Sequence, residues 1–251
     1  MTDYSYQLYS SRNHAPLPET LKMLSRLGYK QVEGYGALYA DAAKVAELKD
    51  HLAGSGLSMP TGHFSLDMVR DRPDEVVKIA EAFDIDAVIV PAVANERRKT
   101  DAAGWRALGK ELAAAGEPIW KAGRKFGWHN HAFEFVVTST GEVPLDLILE
   151  ADPRLVLELD VAWLVRGNQD PLIWIEKYKD RLIAAHVKDI APFGEKIDED
   201  GWADLGDGTL DWAAYMAALK GTKAKYFVME HDNPKDPERF ARRSIAAAQQ
   251  L

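Results

Sequence analysis

Ala87-Val88-Ile89-Val90 is an uninterrupted run of four apolar residues. A strand with one wet face alternates apolar and polar side chains; a continuous run marks a strand covered on both faces, as in a parallel sheet. Working outward, helical patterns flank it: residues 71–83, with Pro73 in the first turn, and residues 101–125, with Gly116 as a candidate break. The alternation continues to both ends. Upstream, 6–9 is a strand and 18–27 a helix stopped by Gly28. Next, 31–33 is a strand, 41–53 a helix with an Asp cap, and 58–62 a strand. Downstream, 127–131 is a strand, 143–150 a short helix, 155–161 a strand and 170–178 a helix opened by Pro171. The series ends with strand 182–188, helix 211–220, strand 226–231 and helix 236–250. Eight strand-then-helix units in 251 residues, with no Ser/Gly-rich linker or charge block between them, predict a single-domain α/β (β/α)8 TIM barrel spanning residues 1–251. A doubly wound sheet would want a glycine fingerprint after an early strand, and Gly34-Tyr35-Gly36 lacks the third glycine.

Composition narrows the function class. A formal charge of −8 argues against nucleic-acid binding, which favours basic faces. No run approaches the ~20 apolar residues of a membrane span, and Met1-Thr2-Asp3-Tyr4 has neither the basic nor the apolar region of a signal peptide. Zero cysteines exclude disulfides, thiolate catalysis and cysteine–zinc sites. These features suit a cytoplasmic enzyme with a small substrate. The seven tryptophans suit a sugar platform or an interface between copies, so a homo-oligomer stays open.

In such a barrel, active sites sit at the C-terminal strand ends. Glu33 follows the second strand and His63 the third. The fifth carries His129 and His131, two residues apart and so on one face, with Glu134 close behind. The sixth carries Glu158 and Asp160, the seventh His186, Lys188 and Asp189, and the eighth Glu230, His231 and Asp232. Of seven histidines, only His14 and His51 lie elsewhere. Buried ionisable groups are costly unless paired or bound to metal, and one salt bridge does not account for so many on one rim. A metal site is the joint expectation: Glu134, Asp160, His186 and Glu230 offer carboxylates and an imidazole without sulfur, suited to Mn²⁺, Co²⁺, Mg²⁺, Fe²⁺ or Zn²⁺.

Several motifs occur in order: His129-Asn130-His131-x-Phe133-Glu134-Phe135, Leu159-Asp160-Val161-x-Trp163, His186-Val187-Lys188-Asp189, Gly206-x-Gly208-x-Leu210-Asp211-Trp212 and Glu230-His231-Asp232. With Gln7-Leu8-Tyr9-Ser10-x-Arg12 and Val32-Glu33, they resemble the sugar phosphate isomerase/epimerase family of the xylose-isomerase-like TIM-barrel superfamily, over nearly the whole chain. The resemblance implies one divalent ion, Mn²⁺ foremost, on Asp160, His186, Glu230 and a strand-5 ligand. That ligand is Glu134 or its rival His129, which stands where many relatives have glutamate. Trp163 stands where several relatives have histidine.

The implied chemistry is proton abstraction beside a carbonyl through a metal-stabilised enediolate of a small carbohydrate, giving isomerisation or epimerisation; elimination from a keto-sugar (lyase or dehydratase) is the alternative. His131 is the expected base or acid, with His129 beside it. Lys188 either meets the developing oxyanion or pairs with Glu158. Glu33, His63, Trp163 and Glu158 are expected to face the sugar. A metal-dependent phosphodiesterase, a third outcome of this superfamily, would want a basic groove that the acidic balance disfavours.

Overall fold

The computed structural model describes residues 2–98 and 101–251. Seven strands come first: β1 (Tyr4–Gln7), β2 (Gln31–Gly34), β3 (Ser58–His63), β4 (Ala87–Val90), β5 (Lys125–His129), β6 (Val156–Asp160) and β7 (Leu182–Val187). An antiparallel hairpin of β8 (Asp189–Ile190) and β9 (Trp202–Ala203) follows, then β10 (Tyr226–Met229). The strands β1–β7 and β10 close a parallel barrel in the order β1-β10-β7-β6-β5-β4-β3-β2. The fold is the TIM barrel that the alternation predicts.

Helices cover the outside: α1 (Leu17–Leu27), α2 (Ala42–Ala53), α3 (Leu66–Asp71), α4 (Pro73–Phe83), α5 (Ala102–Lys121), α6 (Pro144–Leu149), α7 (Val161–Arg166), α8 (Pro171–Tyr178), α9 (Trp212–Leu219) and α10 (Pro237–Ala248). Their starts are written in the sequence. Asp41, Ser65, Asp101, Asp160, Asp170, Asp211 and Asp236 each accept a backbone N–H of the first turn. Outward-facing strand residues such as Val88, Val90, Phe126, Trp128, Leu157 and Leu159 join the helices in the main core. Inside, a small apolar plug of Ala87, Ile89, Ile183 and Ala184 fills one end of the barrel. Towards the C-terminal strand ends the interior turns polar: Gln7, Glu33, His63, His129, Glu158, Asp160 and His186 are all buried. No helix among the described residues is long and apolar enough to cross a membrane.

Four local expectations differ. The first strand lies two residues earlier, because Leu8–Ser11 curls into a 3-10 turn in which the Gln7 side chain accepts the Tyr9 N–H at 3.0 Å. The helix expected over 71–83 starts at Pro73, and a separate short helix over 66–71, capped by Ser65, precedes it. Gly116 does not break α5: a Cβ there would stand 2.4 Å from the Phe126 ring, so glycine lets the helix lie close on β5. Finally, β5 ends at His129, so His131 lies beyond the strand and the same-face argument that joined the two histidines does not hold. The two rings still meet, 5.0 Å between centroids, because the chain turns into the Phe133–Phe135 3-10 helix.

Candidate metal centre and active site

Strand alternation stacks the polar interior in two layers. Asp160, His186 and Glu230 form the upper one, at the barrel mouth, with ligand atoms within 4.8 Å of one another. His186 Nδ1 is 3.0 Å from Glu230 Oε2 and 3.9 Å from Asp160 Oδ2. Asp160 serves two elements at once. Its Oδ1 caps α7 by accepting the Trp163 N–H at 2.8 Å, while its Oδ2 is buried without a hydrogen-bond partner. The Asn130 amide fixes the Asp160 backbone, donating to its carbonyl at 3.1 Å and accepting from its N–H at 3.0 Å. That reciprocal pair extends the β5–β6 ladder one step beyond the His129–Glu158 register.

The lower layer is His63, His129, Glu158 and Glu33. Glu158 Oε2 lies 2.6 Å from His63 Nε2 and 3.1 Å from His129 Nδ1. Glu33 Oε1 lies 2.8 Å from His186 Nε2 and accepts from Gln7 Nε2 at 2.7 Å. Glu33 Oε2 and Glu158 Oε1 are buried without partners. Ligand atoms of His63, His129, Glu158 and His186 also fall within 4.8 Å of one another.

Charge states follow from burial against partners. Burial opposes ionisation of Glu158, but His186 and His63 outweigh it and hold its carboxyl well below the usual range. Burial likewise opposes charge on His186, yet Glu158 and Glu230 lift it well above an ordinary imidazole. Burial pushes Asp160 up to about 7 despite Lys188 and His186 nearby. Burial and then His186 drop His129 to about 4. Burial, then His129 and Lys188, hold His131 well below its ordinary value.

Above the layers opens a cavity of about 470 Å³, lined by Tyr9, Tyr35, His63, His129, His131, Trp163, Glu230 and Asp232 among others. Tyr9 and Tyr35 meet edge to face at 5.4 Å between centroids. Across the barrel, the His131 ring lies against Trp163 (5.3 Å) and Phe133 (5.8 Å), and its Nδ1 is buried and unpartnered.

Several expected residues stand elsewhere. Glu134 is not brought to the cluster: Trp128 Nε1 donates to its Oε1 and the His131 N–H to its Oε2, each at 2.9 Å. Trp128 faces the outer core, so the 3-10 turn swings this carboxylate behind β5, where burial raises it to about 8. Lys188 does not pair with Glu158; its ammonium is 2.7 Å from Asp232 and 3.2 Å from Glu230, lies over the Trp202 ring at 4.2 Å, and does not line the cavity. Glu33 and Glu158 lie beneath the mouth rather than on its wall. His63 and Trp163 do reach the cavity. His231 packs on Phe240, and Asp189 gathers the N–H groups of Ile190, Gly206 and Leu210 to fold the loop before α9. Tyr35, Trp202 and the Asn130 clamp carried no sequence signal beyond their residue types.

Solved structures share this architecture. A sugar phosphate isomerase/epimerase from Parabacteroides distasonis matches with a TM-score of 0.82 at 21% identity, over 99% of this chain and 93% of that one. A 3-keto-D-glucoside 4-epimerase from E. coli matches at 0.73 and 15%, over 100% of both chains. A probable 3-DHS dehydratase from Bacillus anthracis matches at 0.74 and 13%, over 99% of both. At these identities the likeness shows the fold. No curated protein matches the chain in sequence. A family model described as xylose isomerase-like TIM barrel matches residues 21–251, and the chain belongs to that family.

Proposed function

We propose that the chain is a divalent-metal-dependent sugar isomerase or epimerase that removes a carbon-bound proton next to a substrate carbonyl. The convergence of Asp160, His186 and Glu230 beneath the cavity carries this reading. The residues present fit an ion. Asp160 Oδ2 is buried and unpartnered. The carboxylates of Glu33, Glu158, Asp160, Glu230 and Asp232 crowd one region whose cationic partners among the described residues are the Lys188 ammonium and the imidazoles, His186 foremost, so acidic groups outnumber the fixed positive charge. With Glu134 turned away, His129 is the strand-5 donor: its Nδ1 is engaged by Glu158, leaving Nε2 for the mouth. Two nitrogens and two carboxylates suit Mn²⁺, Co²⁺, Fe²⁺ or Zn²⁺ better than oxygen-preferring Mg²⁺. A divalent ion there supplies Lewis-acid polarisation of a substrate carbonyl and balances the negative charge that develops as the neighbouring proton leaves.

The chain supplies the rest. His131 is neutral at pH 7 because burial lowers it, so its ring accepts a proton rather than carrying one. Trp163 and Phe133 fix the ring, and Glu134 holds its backbone N–H. Tyr9 and Tyr35 on one wall and Trp163 on the other present faces to a sugar ring. Among the described residues the lining contains no lysine or arginine, which favours an uncharged sugar over a phosphorylated one or a phosphodiester. Lys188 steadies Glu230 and Asp232.

The test is proton exchange in D₂O, read by NMR, with metal-loaded protein and a panel of ketoses, inososes and keto-glycosides. Deuterium should enter beside the carbonyl, and His131→Ala should slow it by about 10²–10⁴-fold with the metal retained; undiminished exchange removes His131 from the mechanism. A keto-sugar lyase is the second reading. It is favoured because His63 and His129 are engaged by Glu158 and Asp232 by Lys188, leaving His131 as one free base.

A further inference from the structure

His129 and His186 each turn one ring nitrogen to a carboxylate of the lower layer. His129 turns Nδ1 down to Glu158 Oε2 at 3.1 Å; His186 turns Nε2 down to Glu33 Oε1 at 2.8 Å and to Glu158 Oε2 at 3.3 Å, and Nδ1 up to Glu230 and Asp160. A carboxylate accepts and cannot donate, so His129 carries its proton on Nδ1 and keeps the Nε2 lone pair, while His186, with carboxylates at both nitrogens, is held at Nε2 by Glu33 and Glu158 and has Nδ1 as the nitrogen an ion would take. The lower layer is itself braced. His63 Nε2 sits between the two carboxylates, 2.6 Å from Glu158 and 3.3 Å from Glu33, and Gln7 donates to Glu33 while its own oxygen accepts the Tyr9 N–H. All of these groups are buried, and glutamates at this depth cost stability unless partners such as these imidazoles offset the lost hydration.

We infer that Glu158 and Glu33 are positioning residues: through His129 and His186 they fix the ring tautomers and orientations that aim Nε2 of His129 and Nδ1 of His186 at the mouth, and so set the affinity of the ion. This rests on the metal site proposed above. The spacing separates it from a second ion lodged among the lower groups. Two ligands on one tetrahedral ion at about 2.0–2.1 Å stand roughly 3.3 Å apart; His186 Nδ1 and Glu230 Oε2, 3.0 Å apart, come near that span, whereas His63 Nε2 and Glu158 Oε2, at 2.6 Å, fall well short of it. His63 accordingly belongs to the brace, with its edge at the cavity, rather than being chiefly a sugar ligand.

The experiment has two arms. In the metal-free wild-type protein, long-range ¹H–¹⁵N spectra of the histidine rings should show His129 protonated at Nδ1 and His186 at both nitrogens, with Nε2 alone protonated on His186 once Zn²⁺ is bound. Zn²⁺ loading should then shift His129 Nε2 and His186 Nδ1. In the second arm, apo Glu158→Gln and Glu33→Gln are titrated with Zn²⁺ against a competing chelator. Affinity should fall about 10–100-fold with one ion per chain retained, and Glu158→Asp should recover part of the loss. The opposite tautomers, Zn²⁺ shifts at His129 Nδ1, unchanged affinity in both Gln variants, or two ions falling to one in Glu158→Gln would each overturn the inference. Absence of any ion from the wild type would instead overturn the metal site on which it rests. The spectral arm needs no variant to fold.

Discussion

At the scale of single residues, Glu134 shows how spacing can mislead. It follows His131 by three residues and carries the right chemistry, yet the turn after β5 delivers it to Trp128 on the outer face. A one-dimensional reading holds only while the chain stays extended, since alternation assigns a face only within a strand. Asp160 and His186 were legible for that reason, each standing at an inward strand position near the mouth. Glu158 was legible as inward but not as one layer deeper, because depth depends on how strands stagger around the barrel. Glu134 also gives a pH test. Its folded-state pKa of about 8 lies above the unfolded carboxyl value of 4.5, so its stabilising contribution is complete below pH 4.5 and is lost as pH rises through 8. Glu134→Gln, a neutral isostere, should cost about 1–3 kcal/mol near pH 5 through one mispaired donor. It should also flatten the fall in thermal midpoint between pH 5 and 9 relative to wild type. Parallel wild-type and variant curves would show that the group does not titrate in this window.

At the scale of elements, β5 and β6 form the seam on which the site depends. Gly127 lies opposite Val156, and a Cβ at 127 would stand 1.9 Å from the Val156 carbonyl oxygen. Gly127→Ala should therefore push the strands apart and destabilise the protein by about 1–3 kcal/mol or more, read by chemical denaturation; a neutral effect would mean that the strand bends freely. One residue past the register, Asn130→Ala leaves the Asp160 N–H and C=O unpaired, at about 1–3 kcal/mol for each buried group. It should also weaken metal binding, because Asp160 loses its fixed backbone. The main run of strands and helices was legible because caps, prolines and apolar runs are local signals. The separate helix α3, the β8–β9 hairpin and the early helix α7 were not. Each is short, and the hairpin brings Trp202 to Lys188 through contacts distant in sequence.

At the scale of the whole molecule, the proposed ion would tie β5, β6, β7 and β10 together at one end of the barrel. An ion present at 100 times its Kd stabilises the folded state by about 2.7 kcal/mol. For a chain of this length that corresponds to a rise in Tm of roughly 5–10 °C, reversed by EDTA. Closure of eight strands was predictable from eight repeated units, whereas the mouth gathers its side chains from the ends of several strands and the turns after them. The most direct measurement is divalent metal content by elemental analysis of purified wild-type protein and of Asp160→Asn, Glu230→Gln and Glu134→Gln. About one ion per chain is expected in the wild type and in Glu134→Gln, and next to none in the other two. A full complement in Glu230→Gln, or loss in Glu134→Gln alone, would contradict the site.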